Sequence, residues 1–176
     1  MGSHFVCYNM LITTSRKPSQ KTRTFARSLE RVFNAKYINR GKMSLRDVLI
    51  KSNNLNFNRI IVISEMKGNP SRIEILSSSG NSLISLNVTV SITSLSGRIE
   101  KDKLCIRCEM EELKKDIIPS LDILGEDDEI SLSNCNLLWI KKGHNDSEGV
   151  VEFYDQNGQI TGPKIYLKNY LNPMDV

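Results

Sequence analysis

Residues 10 to 49, MLITTSRKPSQKTRTFARSLERVFNAKYINRGKMSLRDVL, carry the pattern that most narrows the fold: apolar run, basic loop, helix-period stretch, then the same three again. A strand that feeds a helix and returns to a strand is the unit of α/β architecture, because the helix must lay its apolar stripe back on the sheet. Met10 to Ile12 reads as the first strand and Thr13 to Pro18 as a polar loop, with Ser19 placed to cap the helix that follows. In that helix Phe25, Leu29, Val32 and Phe33 recur at i, i+4, i+7 and i+8, one face for a core. Tyr37 and Ile38 suggest a second strand. Arg40-Gly41-Lys42 then turns the chain, with Gly41 free to take positive φ. Ser44 with Asp47 approximates a capping box, and Leu45, Val48 and Leu49 give the second helix its apolar side.

The continuous run Arg59 to Ser64 has the mark of a buried strand, Lys67-Gly68-Asn69-Pro70 reads as a turn, and Ile73 to Leu76 and Leu83 to Val90 read as further strands. Beyond that the pattern is thinner. Leu104 to Glu109 suits a strand, and Glu111 to Leu124 a helix interrupted by Pro119 and stopped by Gly125. Glu126 to Glu129 is an acidic run with the look of a solvated loop. Leu137 to Ile140, holding the single Trp139, reads as a buried strand, and Val150 to Tyr154 with Ile165 to Leu171 as a hairpin-like pair around Asn157-Gly158. The stretch from Ile73 lies over that from Val151 as strand, Gly turn and strand, a faint internal echo. The expectation is an α/β chain of two similar halves, each with a mixed sheet: an N-terminal half over 9–91 and a C-terminal half over 92–176, after an N-terminal segment 1–8 in which Gly2, Ser3 and His4 read as a cloning remnant.

Charge divides the same way. Residues 1–94 hold 14 Lys and Arg against 4 Asp and Glu, a balance of +10, whereas residues 95–176 hold 10 against 16, a balance of −6. Such asymmetry points the first half at an acidic partner. Nucleic acid fits better than a membrane, since there is no amphipathic helix with exposed aromatics to insert. The cations gather where strands hand over to helices: Ser15-Arg16-Lys17 and Lys21 at the first, Arg40 and Lys42 at the second. Arg23, Arg27 and Arg31 stand at i, i+4 and i+8 as a basic stripe on the first helix, and an RGK turn before a helix N-terminus suits a phosphate. Tyr37 and Phe57 have the chemistry to stack on bases, but core packing is their expected work.

Cys7, Cys105, Cys108 and Cys135 are scattered and do not form a disulfide framework, which suits a reducing compartment. Cys105-Ile-Arg-Cys108 has metal or redox spacing, yet the further ligands a closed zinc site needs (Cys135, Cys7, His4, His144) show no short-spaced pair, so buried thiols and no metal or cofactor are expected. Walker, G-x-S-x-G and H-E-x-x-H motifs are absent. Ser15 has no general base nearby in sequence, and Asp127, Asp128 and Glu129 sit in the acidic run. No enzyme is expected.

With those residues in view, the sequence resembles the Brix-domain family, in its short archaeal, Imp4-like members. LITTSRKPSQKTRTFARSLERVF followed by YINRGKMSLRDVL carries the resemblance. RIIVISEMKGNPSRIEI supplies the family's strand, turn and strand, and Gly162-Pro163-Lys164 before IYLKNYL its closing strand. The resemblance spans about residues 9 to 171 and is thin between 92 and 134. It implies two halves, each like the anticodon-binding domain of class II aminoacyl-tRNA synthetases, and a non-catalytic cytoplasmic role in ribosome biogenesis through precursor or ribosomal RNA. By position, the RNA-binding residues are Arg16, Lys17 and Arg23 in the first loop region, Arg40 and Lys42 in the second, and Lys67 and Asn69 in the third turn; Ser15, Lys21, Arg27 and Lys164 complete the candidate set. The alternative is a scaffold that docks ribosomal proteins or other assembly factors through the acidic second half.

Overall fold

The computed structural model describes residues 10–92, 99, 104–122 and 135–175. The first half supplies β1 (Met10–Thr14), α1 (Gln20–Phe33), β2 (Lys36–Tyr37), α2 (Leu45–Asn54), β3 (Arg59–Met66), β4 (Asn69–Ser77) and β5 (Ser82–Ser91). The second supplies β6 (Leu104–Cys108), α3 (Glu111–Leu121), β7 (Asn136–Lys142), β8 (Gly149–Tyr154) and β9 (Lys164–Leu171). The α/β class holds, but the two expected sheets are one. All nine strands join in the order β2-β1-β3-β4-β5-β9-β8-β7-β6. The joint is the antiparallel pair β5–β9, from Ser85↔Leu171 to Ser91↔Lys164. Within each half a parallel pair leads into antiparallel ones: β1–β3 then β4 and β5, β6–β7 then β8 and β9. The echoing segments fall on β4–β5 and β8–β9, which hold equivalent places on either side of the joint.

Local chemistry fixes the helix ends. Ser19 caps α1, its side chain accepting from the Thr22 N–H. At α2 the capping box is complete, with Ser44 and Asp47 satisfying each other's backbone donors. Thr13 and Thr14, read as loop, belong to β1 and are fully buried. Their β-branched side chains suit a strand, and Thr13 Oγ1 donates to the Ile38 carbonyl. Pro119 does not interrupt α3 but sits within it, near its end. A proline there forfeits one intrahelical bond, and Arg59 covers the end, its Nε donating to the Ser120 carbonyl (2.9 Å) and its Nη2 to that of Pro119 (3.3 Å). A cation at a helix C-terminus also meets the favourable end of the dipole. Gly125 and the acidic run Glu126–Glu129 lie outside the described residues.

Helices α1 and α3 share one face of the sheet, and α2 covers the other over β1, β3 and β4. The larger core takes Phe25, Leu29 and Phe33 of α1, Leu113 and Ile117 of α3 and inward residues from both halves. Leu11, Ile38, Val48, Ile60, Val62 and Leu76 form a second, smaller cluster under α2. The Phe33 ring meets Phe153 of β8 edge-on at 5.7 Å, although α1 leads directly into β2, six strands from β8. In a flat sheet six steps of ~4.8 Å separate them by ~29 Å, so the sheet coils round α1 and α3, and α2 rides on its convex side. The halves therefore share one interior.

The CIRC spacing is not used as a pair. Residues three apart on a strand point to opposite faces. Cys105 is bonded to Cys135, with Cα atoms 6.1 Å apart, and Cys108 is free and buried, its thiol pKa pushed up chiefly by burial. This disulfide corrects the expectation of unpaired thiols.

Candidate functional site

Because β2, β1 and β3 run parallel, their carboxyl ends lie on one edge of the sheet. The loops over 15–19, 38–44 and 67–68 leave from that edge, with α1 departing over one face and α2 over the other. Where consecutive connections diverge in this way, a crevice opens outside the strand ends, the usual ligand position in open α/β sheets. All three predicted basic segments therefore meet.

Hydrogen bonds fix how they meet. The Ser15 N–H donates to the Ile63 carbonyl (2.8 Å), tying the first loop to β3. Arg40 reaches across the second loop, Nε donating to the Met43 carbonyl (2.9 Å) and Nη1 to that of Thr14 (3.2 Å). Ser19 Oγ donates to the Gly68 carbonyl (2.8 Å), and Lys21 Nζ to Asn69 Oδ1 (2.7 Å), joining α1 to the third turn. Burial, and after it the charge of Arg16, lowers the Arg40 pKa; Arg16 also helps lower that of Asp47, after the hydrogen bonds from Ser44 and the charge of Arg46. Arg16 thus adjoins both the second loop and the start of α2. Arg16, Lys17, Lys42 and Lys67 are exposed.

Backbone geometry singles out two of these lysines. Six non-glycine residues among those described have positive φ: four are Asn or Asp, and the others are Lys17 (φ 52°) and Lys67 (φ 50°). Asn and Asp tolerate that region, whereas lysine is a rarer occupant, and such strain gathers at ligand-holding loops. Gly41, at φ 52°, turns the second loop as its sequence suggested.

The N-termini of α1 and α2 already face carboxylates. Glu65 accepts from the Thr22 hydroxyl and, after it, the Ser19 N–H, which hold its pKa down, and Asp47 accepts from the Ser44 N–H. The free positive charge at this edge therefore belongs to side-chain cations and not to helix dipoles. Glu65 was missed at the sequence level; it lies 46 residues from Ser19, and no local signal marks it. The arginine stripe also divides. Arg23 and Arg27 line an open hollow with Gln20, Thr24, Tyr37 and Asn39, where Arg27 lies 4.4 Å over the buried Tyr37 ring and pairs with Glu30. Arg31 leaves the stripe: it donates to the hydroxyl and the carbonyl of Thr161, tying α1 to the second half.

Lys164 is not in this cluster. It stands on the convex face of β9, 3.2 Å from Glu152 Oε1, while Lys141 Nζ meets Glu152 Oε2 at 2.6 Å and the Tyr154 hydroxyl donates to the same carboxylate. Burial pushes the Glu152 pKa up, but the donors from Lys141, Tyr154 and Lys164 outweigh it and hold it at about 2, against an ordinary 4.5. A carboxylate with a lowered pKa contributes stability above its unfolded pKa and loses it as pH falls through the folded one. Urea midpoints are therefore expected to decline between about pH 4.5 and pH 2, and Glu152→Gln is expected to flatten that decline. An unchanged acid limb in the variant would place the loss elsewhere.

The places in the second half equivalent to the basic loops, after β6 and β7, carry the opposite charge. Glu109, Glu111, Glu112 and Glu148 line a hollow there with Lys142 and Tyr170. Among the described residues no group of three or more His, Cys, Asp or Glu is arranged to hold a metal ion, and no helix is long and apolar enough to cross a membrane.

No family model matches the chain. Curated relatives do. A probable Brix domain-containing ribosomal biogenesis protein of Methanothermobacter thermautotrophicus is 55% identical over 71 residues, 40% of this chain and 43% of that one. The protein of the same description from Methanococcus maripaludis is 39% identical over 94 residues, 53% of this chain and 54% of that one. The matched stretch thus spans about half the length of these relatives. Among solved structures, Mil, an archaeal Imp4-like protein, superposes with a TM-score of 0.74 at 31% identity, over 93% of this chain and 99% of that one. A probable ribosomal biogenesis protein from Aeropyrum pernix shares the fold, with a TM-score of 0.73 at 23% identity over 91% of this chain and 95% of that one.

Proposed function

The chain belongs to the Brix-domain family, among its archaeal Imp4-like members, and from that premise we propose that it is a non-catalytic ribosome biogenesis factor that binds ribosomal or precursor RNA through the basic crevice of its first half. The observation that carries the reading is the convergence of three basic loops at the carboxyl edge of β1, β2 and β3. Arg16, Lys17, Lys42 and Lys67 make phosphate contacts; Arg23 and Arg27 extend the track along α1 beside Tyr37 and Asn39. Arg40 holds the loops in place as much as it adds charge, and Ser15 and Asn69 shape the loops from within. Contacts of this kind position an RNA without reading its sequence. Also proposed are the division into halves at 9–91 and 92–176, the likeness of each to a class II anticodon-binding domain, and a cytoplasmic setting.

Crosslinking in lysate, with peptide and RNA both identified, tests the reading. Adducts are expected on peptides spanning 14–23 and 39–44, joined to ribosomal or precursor RNA. Adducts spread over all RNAs, or none above background, would reduce RNA to a nonspecific counterion. A second reading, docking of basic ribosomal proteins, is favoured by the acidic hollow around Glu109 and Glu148, and would show as protein crosslinks from that hollow.

A further inference from the structure

The convex face of the second half is built differently from the rest of the sheet. Side chains from the inner face of β6 to β9 enter the larger core, but neither hydrophobic cluster includes a side chain from their convex face. Strand alternation leaves that face with Cys105 and Arg107 on β6, Leu137, Trp139 and Lys141 on β7, Val150, Glu152 and Tyr154 on β8, and Lys164 and Tyr166 on β9. An aromatic and a cation adjoin on that face of β7 and again of β9. Across the strands they interleave: Arg107 lies 4.7 Å and Lys141 4.3 Å from the Trp139 ring, Trp139 stands 6.0 Å from Tyr154, and Lys164 5.5 Å from Tyr166.

We infer that this convex face is a second RNA site, a platform on which two or three unpaired bases stack against Trp139, Tyr154 and Tyr166 while Arg107, Lys141 and Lys164 meet the phosphates between them. The inference rests on the RNA reading above for its ligand class and adds a site and a substrate form. Charge favours this occupant over an apolar protein surface. Glu152 is already shared between two lysines, which neutralise it toward an approaching phosphate; Glu109 lies at the margin, where it accepts from Trp139 Nε1 and the Lys142 N–H. Unpaired bases present ring faces, whereas a duplex hides them, so the platform discriminates by strandedness. Aromatic side chains beside cations are the general means of holding single strands without sequence choice.

Trp139 is the chain's single tryptophan, so its fluorescence reports on this face alone. The test titrates the full chain with a 12-nucleotide oligoadenylate and with a 12-base-pair RNA duplex, following labelled-RNA anisotropy and tryptophan emission together. The platform predicts quenching that tracks binding of the single strand and is absent with the duplex. Tyr166→Ala, which keeps the reporter, is expected to lower single-strand affinity about tenfold and leave duplex affinity unchanged. Binding without quenching, or equal loss for both RNAs, overturns the platform and leaves the first-half crevice standing. Quenching and affinity untouched by replacing Arg16 and Lys17 with alanine overturns the crevice and keeps the platform. No binding to either RNA overturns both. Tryptophan emission and sedimentation that change with protein concentration alone would assign the face to a second copy of the chain instead.

Discussion

Replacing Arg16 and Lys17 together by alanine is expected to weaken RNA binding about 10- to 100-fold at low salt while leaving the thermal midpoint almost where it was. Both side chains are exposed, and the loop that carries them is held by backbone bonds and by Arg40. Removing Arg16 also relieves a like-charge neighbour of Arg40. Exposed substitutions of this kind stay within about 0.5 kcal/mol in stability. The sharper readout is the salt dependence. If both residues contact phosphate, the slope of log affinity against log salt falls by about 1.4 to 1.8, depending on whether the RNA is single- or double-stranded. A marked drop in the midpoint would make the pair fold-builders. A loss of affinity with an unchanged slope would place them outside the phosphate track.

Phe153→Ala should be the most damaging single change in the interior, at about 3–5 kcal/mol by chemical denaturation. Phe153 is almost wholly buried and meets Phe33 edge-on, so its loss opens a void between α1 and β8. Gly162 lies so close that a Cβ there would stand 2.6 Å from the Phe153 ring, so the ring is braced on both sides and the site has little freedom to collapse. Because Phe153 comes from the second half and Phe33 from the first, the variant is expected to lower the stability of the whole chain. Far-ultraviolet circular dichroism and Trp139 fluorescence should report one coincident transition at a lower midpoint. Two separated transitions would mean that the halves unfold independently.

The features legible in the sequence were the local ones. Ser19 and the Ser44–Asp47 box are decided within four residues, and the apolar stripe of α1 within fourteen, so propensity and periodicity suffice for them. The three basic loops were legible because loop residues cannot be spent on a core. That they converge follows from parallel pairing of β1 with β2 and β3, which no single segment encodes. Thr13 and Thr14 misled because a polar side chain on a buried strand is distinguished only by its partner, the Ile38 carbonyl for Thr13. Arg31 looked like a surface charge until Thr161, 130 residues on, took it up. The Cys105–Cys135 bond was obscured by the nearer Cys108, whose spacing imitates a motif while its strand phase forbids one. The single sheet was also out of reach, since β5 and β9 are joined by hydrogen bonds between segments some eighty residues apart.

The last of these has a consequence in time as well as in space. β9 is the last of the described strands in chain order, yet it lies in the middle of the sheet, between β5 and β8. Until residues 164–171 pair, β5 and β8 each present an open edge, and two short sheets wait for one strand to complete both. The three basic loops, all placed before residue 70, precede in the chain the strand that closes the sheet.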